Sequence, residues 1–162
     1  MVRSYFADAC PALADYGYNP VLYANQKIKA GQTWEAYYFF LGIKGVGGKL
    51  AAFFLRDITD VYGLRGELNP GDLPFVFPVD RWVKRVVNIL WGELVSQATN
   101  TGQPEKYEKS QQKEMQWVVY VAVTECCKYN IHPIDFDRGA WYLGYTSGTW
   151  ERLEEALNRA CP

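Results

Sequence analysis

The chain has 162 residues, 49% hydrophobic and 22% charged, which suits one globular domain with a sizeable core and excludes a disordered chain. Its formal net charge of −1 excludes a protein that grips nucleic acid by bulk positive charge, so any such contact has to be local.

Hydrophobic spacing predicts an all-α protein, with no alternating strand and no internal repeat. Thr33 reads as an N-cap, with Glu35 in the first turn and Trp34, Tyr38 and Leu41 on one face of the helix that follows. A tight glycine turn interrupts the pattern after Ile43, and Gly48 to about Tyr62 reads as the next helix. Gly63, Gly66, Asn69-Pro70-Gly71-Asp72, Pro74 and Pro78 then break any regular element. A loop of that length inside a compact domain points to function or mobility rather than filler.

Val79 to about Leu94 reads as helix, with Val83, Val86, Val87 and Leu90 at core spacing. Asp80 falls in its first turn, where an acid suits the helix dipole, so capping is the plain explanation for it. Ser96 to Ser110 is polar, with Asn100, Gly102 and Pro104, and reads as a linker (96–110) between a lobe at 1–95 and a lobe at 111–162 of one compact domain. Trp117 to Tyr129, Ile134 to Leu143 and Thr149 to Ala160 complete the helices, the second bounded by Pro133 and Gly144. The Lys and Glu residues from Glu105 to Glu114 read as a solvated face.

Cys10, Cys126, Cys127 and Cys161 lack C-x-x-C spacing and read as reduced thiols. No signal peptide and no run of about 18 apolar residues is present, so the expectation is a soluble cytoplasmic protein with no membrane contact. His132 is the single histidine, which excludes a zinc site built from several imidazoles, and Ile131-His132-Pro133 reads as a loop before a helix.

The chemistry concentrates in Gly45-Val46-Gly47-Gly48-Lys49-Leu50-Ala51. Two glycines around one aliphatic residue allow a turn whose amides point outward, a geometry that accepts phosphate. Lys49 follows in the first turn of a helix, where an amine freed of its proton is a nucleophile. A P-loop is excluded because Ile43 and Leu50 stand where it needs glycine and a hydroxyl, and the dinucleotide fingerprint fails because Leu50 replaces its third glycine.

That stretch, followed by Pro78-Val79-Asp80-Arg81-Trp82-Val83-Lys84-Arg85, resembles the helix-hairpin-helix DNA glycosylases, the superfamily of endonuclease III and the archaeal 8-oxoguanine glycosylases. Asn130 to Asp137 and Ala140-Trp141-Tyr142-Leu143-Gly144 are similar to the C-terminal helices of some members, so the resemblance runs from about Asn19 to Gly144. It implies a helix-hairpin-helix glycosylase-like fold, shortened on its N-terminal side because fewer than fifty residues precede Lys49.

The resemblance further implies that Gly45, Val46, Gly47 and Gly48 hold the phosphates of damaged or abasic duplex DNA through their amides, with a monovalent cation at the hairpin carbonyls as the one metal to consider. Lys49 falls on the nucleophile of the bifunctional members and Asp80 on their catalytic aspartate. Arg81 and Arg85 follow as backbone contacts. Phe75, Phe77 and Trp82 are candidates to stack on a base, against the plainer expectation that such aromatics pack in the core. The run of cysteines that ligates an iron-sulfur cluster in some members is absent, so no cofactor is expected.

The function so implied is a base-excision enzyme that is both glycosylase and AP lyase. A non-catalytic hairpin module, completed by a partner or a second copy, is the alternative, and a helical protein-interaction domain is the third. Lys49 also has a plain explanation, as a first-turn lysine in solvent.

Overall fold

The protein is described here as a computed structural model covering residues 11–101 and 113–160, with the side chains of 101, 113, 114 and 160 left aside. Seven helices and three 3-10 turns make up the described residues, and no strand occurs among them. The helices are α1 (Pro20–Lys29), α2 (Thr33–Leu41), α3 (Gly48–Val61), α4 (Arg81–Thr101), α5 (Lys113–Lys128), α6 (Pro133–Ser147) and α7 (Trp150–Ala160). The 3-10 turns are Pro11–Tyr16, Leu64–Glu67 and Leu73–Val76.

Helix α1 is absent from the sequence expectation, although its start carries a standard signal. Asn19 Oδ1 accepts from the N–H groups of Val21 at 3.0 Å and Leu22 at 3.2 Å, and Pro20 occupies the first helical position. Thr33 does not cap α2 as its sequence context suggests. It lies inside the helix, fully buried, with its hydroxyl lacking a hydrogen-bond partner among the described residues, while Gln32 takes the cap position without a side-chain bond. Glu35 instead pairs with Lys27 of α1 at 2.6 Å and ties the first two helices together.

Two hydrophobic cores form. The first draws Tyr23 and Ile28 from α1, Ala36, Tyr37 and Phe40 from α2 and Ala51, Leu55 and Ile58 from α3, with Ile134 of α6 joining them. The second draws Val83, Val86 and Val87 from α4, Val118 and Ala122 from α5, Ala140 from α6 and Leu153 from α7. The segment expected as an open loop at 63–78 is built into both cores. Phe75 and Val76 face the first, whereas Leu73, Phe77 and Val79 face the second, so much of this stretch is buried packing. The division between cores therefore runs through 73–79, and α4 belongs with the C-terminal helices.

Asp80 sits just ahead of α4, which starts two residues later than the expected helix at Val79. Its Oδ1 accepts from Trp82 N at 2.8 Å and Val83 N at 2.9 Å, which satisfies two orphan amides. Helix α4 then breaks its regularity at Trp91 (φ −138°, ψ 25°), next to Gly92, and runs on to Thr101. Residues 96–101 of the expected linker are thus helical; its remainder, and the charged run from Glu105 to Glu114, lie outside the described residues and side chains.

Gly144 of α6 is where Trp82 crosses. A Cβ there would stand 2.6 Å from the Trp82 ring, and the ring cannot retreat easily because it packs against Trp150 with centroids 4.4 Å apart. Gly144→Ala should therefore destabilise the protein by about 1–3 kcal/mol through overpacking. Thermal unfolding is the check, and an unchanged midpoint would contradict this packing.

Candidate nucleic-acid interface

The hairpin between α2 and α3 is held from within. Ile43 N donates to Phe40 O at 3.0 Å and Val46 N to Ile43 O at 2.9 Å, while the Val46 side chain packs against the first core. Gly45 stands at φ +90°, a region that strains any residue carrying a Cβ. Gly47 is different: its backbone (φ −91°, ψ 171°) is open to any residue, and a Cβ there would meet nothing within 4 Å. The N–H groups of Gly45 and Gly47 donate to no acceptor among the described residues, and Gly47 O receives Ala51 N at 3.0 Å to start α3. Gly48 is buried at the first helical position.

Lys49 follows on the exposed side of α3, with no ion-pair or hydrogen-bond partner among the described residues. Its Nζ lies 5.4 Å from the centroid of the Phe53 ring, one turn along, and the Arg56 guanidinium lies 4.5 Å from the same ring. Arg56 then reaches across to α6, where its Nη1 donates to Asp137 Oδ2 at 2.6 Å. Asp137 is 1% exposed. Burial pushes its carboxyl up to about 6 against the pull of Arg56, and the nearby Asp80 charge adds to the rise. Lys49 and Asp80 thus do not bond to each other. They stand at the two ends of a run formed by Phe53, Arg56 and Asp137.

Arg81 is exposed, with its guanidinium 5.1 Å from the Trp82 ring. Arg85 forms an ion pair with Glu154 of α7 and lies 5.9 Å from the Trp150 ring, so its charge is partly spent inside the protein. With Lys84, Asn88, Trp150 and Glu151 these two arginines border a surface groove of about 470 Å³ along the first turns of α4. The stacking candidates are packed, as the plainer expectation had it. Phe77 is fully buried beside Phe136, at 6.3 Å between centroids, and has no face for a base; Trp82 is wedged between Gly144 and Trp150. Phe75 packs on Tyr37 at 5.2 Å between centroids and otherwise lines a separate cavity.

Phe53, Arg56 and Asp137 are absent from the sequence-derived candidates. The first two carry a faint signal, since positions 49, 53 and 56 share one helix face. Asp137 carries none, because only folding brings α6 against α3. A second set of charges backs the first: Arg65 bonds Asp60 at 2.7 Å and Asp135 at 2.8 Å, and Arg138 pairs with Asp60. His132 caps α6, its Nδ1 accepting from Ile134 N at 3.2 Å, and burial, then the Arg65 charge, lower its pKa. Burial pushes the Cys126 thiol up to about 12, while Cys127 is exposed. Cys10 and Cys161 lie outside the described residues. Among the described residues no group of three or more His, Cys, Asp or Glu side chains is placed to hold a metal ion, and no helix is long and apolar enough to cross a membrane.

No family model and no solved structure matches the chain. An uncharacterized protein of Methanocaldococcus jannaschii is 39% identical to it over 70 residues, which make up 43% of this chain and 16% of that relative.

The Asp137 environment has a measurable consequence. Its folded pKa lies above the ordinary value of 3.8, so the stability it contributes is full below that value and is lost as pH rises through about 6. The wild type should therefore lose stability relative to Asp137→Asn between those pH values, and the Asp137 carboxyl signal in NMR should titrate near 6. Arg56→Gln should move that midpoint higher, since it removes the cation that favours the charged form. A midpoint at the ordinary value would contradict the burial.

Proposed function

We propose that the protein is a DNA-repair glycosylase with AP-lyase activity, acting on duplex DNA that carries a damaged base or an abasic site. The observation that carries the reading is Gly47. Neither its dihedral angles nor its surroundings call for glycine, and its amide is unpaired among the described residues, so the missing side chain makes sense as clearance for a group approaching from outside. A phosphate suits two outward amides at a helix start.

Lys49 lies two residues beyond Gly47, in the first turn of α3. Its Nζ attacks the anomeric carbon as the base departs with a proton, the ring C–O bond at that carbon then opens with a proton to the ring oxygen to leave a Schiff base, and loss of a proton from the neighbouring sugar carbon expels the 3′ phosphate by β-elimination. Lys49 is exposed, so the desolvation that favours a free amine has to come from the bound DNA itself. Asp80 keeps one carboxylate oxygen beyond the two cap bonds, both of which fall on Oδ1. That oxygen is suited to stabilise positive charge on the sugar, so capping and catalysis coexist in one residue. The exposure of Lys49 also favours a second reading, a hairpin module that binds duplex DNA without changing it.

Borohydride separates the two. Incubated with a duplex carrying one abasic site, the protein should give a covalent band that Lys49→Gln abolishes and Lys44→Gln retains. Asp80→Asn, which preserves the cap, should keep that band yet lose base release from a damaged duplex by about 10²-fold or more. Absence of any band with bound DNA would favour the module.

A further inference from the structure

A cavity of about 530 Å³ opens at the far end of α2 from the hairpin, between the start of that helix and the 69–75 segment. Trp34, Tyr38 and Phe75 supply aromatic walls, and Gly31, Asn69 and Asp72 supply the remainder that matters here. Trp34 is 49% exposed and stands at the cavity wall.

Asp72 is the informative group. It is 4% exposed and no Lys or Arg pairs with it among the described residues. Its Oδ2 is saturated, accepting from Asn69 N at 3.1 Å and Asn69 Nδ2 at 3.3 Å, which stabilises the turn. Oδ1 receives no hydrogen bond among the described residues. A buried carboxylate ordinarily has its charge compensated by a cation, and none of the described residues supplies one.

We propose that this cavity is a binding site for an N-alkylated ammonium group. Among the described residues no cation lines it, which disfavours phosphate-bearing ligands. A guanidinium or a guanine edge bonds both oxygens of a carboxylate at once, and Oδ2 is already occupied. A bare ammonium is strongly hydrated and aromatic walls offer it no acceptors in exchange. An alkylated ammonium needs only the ring faces and one free oxygen nearby, and aromatic cages attract such cations. Gly31 belongs to the design: at φ +67°, a Cβ there would stand 3.2 Å from Asn69 Nδ2, so a side chain would disturb the amide that holds Asp72.

The test uses choline as the free cation, a trimethyl-lysine amide as the side-chain form, and 3,3-dimethylbutan-1-ol as the uncharged isostere, each titrated calorimetrically into the whole protein. At least one cation should bind saturably at one site, about tenfold or more tighter than the isostere, and the tighter of the two identifies the source. Asp72→Asn, which still accepts from Asn69, and Trp34→Ala, which removes a half-exposed ring, should each weaken binding about tenfold while circular dichroism stays unchanged. Absence of saturable binding by either cation, equal affinity for the isostere, saturable binding of guanosine alone, or indifference to both substitutions would overturn the proposal.

Discussion

The buried pair of Arg56 and Asp137 governs how the two halves of the candidate site face each other. Arg56 leaves α3 two turns after Lys49, and Asp137 leaves α6 close to Asp80, so this single bond of 2.6 Å joins the hairpin side of the protein to the start of α4. Removing Arg56 should cost about 3–5 kcal/mol, because the Asp137 charge would stay buried alone, whereas Arg56 itself keeps a second partner in Asp57 at 2.8 Å. The pairs of Arg65 with Asp60 and Asp135, and of Arg138 with Asp60, span the same two helices from a more exposed position. Ile134, in the first turn of α6, enters the first core and adds an apolar tie to the ionic ones.

The hairpin depends on that frame and adds a local logic of its own. Val46 is anchored in the core while the glycines on either side face outward, so the turn is rigid where it meets protein and bare where it meets solvent. Gly45 is explained by backbone conformation alone. Gly47 is not, and under the proposed function that contrast between two glycines two residues apart separates a folding requirement from a binding one.

Much of the helical order is legible in the chain. The stretches α2, α3 and α7 follow from apolar spacing and match their expected positions within a few residues, while α6 opens at Pro133 as expected but runs through Gly144, its expected end, to Ser147. What escapes is tertiary in origin. Helix α1 is short and weakly patterned, and only its Asn19-Pro20 start betrays it. The 63–78 segment has the composition of a loop, yet residues from Leu73 to Val79 feed two cores at once, which no single-element pattern can show. In the site, Lys49 and Asp80 are legible from the residues around them, whereas Phe53, Arg56 and Asp137 become partners only through the crossing of α3 and α6.

The central claim is that the hairpin amides are a phosphate grip, and Gly47→Ser tests it most directly. Serine is a good N-cap, so the substitution should leave the thermal midpoint unchanged or raise it by the equivalent of a few tenths of a kcal/mol. Its side chain would nonetheless occupy the open space beside the free amide. The account predicts that affinity for duplex DNA falls about tenfold or more while stability holds, since a displaced charge-assisted bond is worth about 1.5–3 kcal/mol. Unchanged affinity in a fully folded Gly47→Ser protein would contradict it.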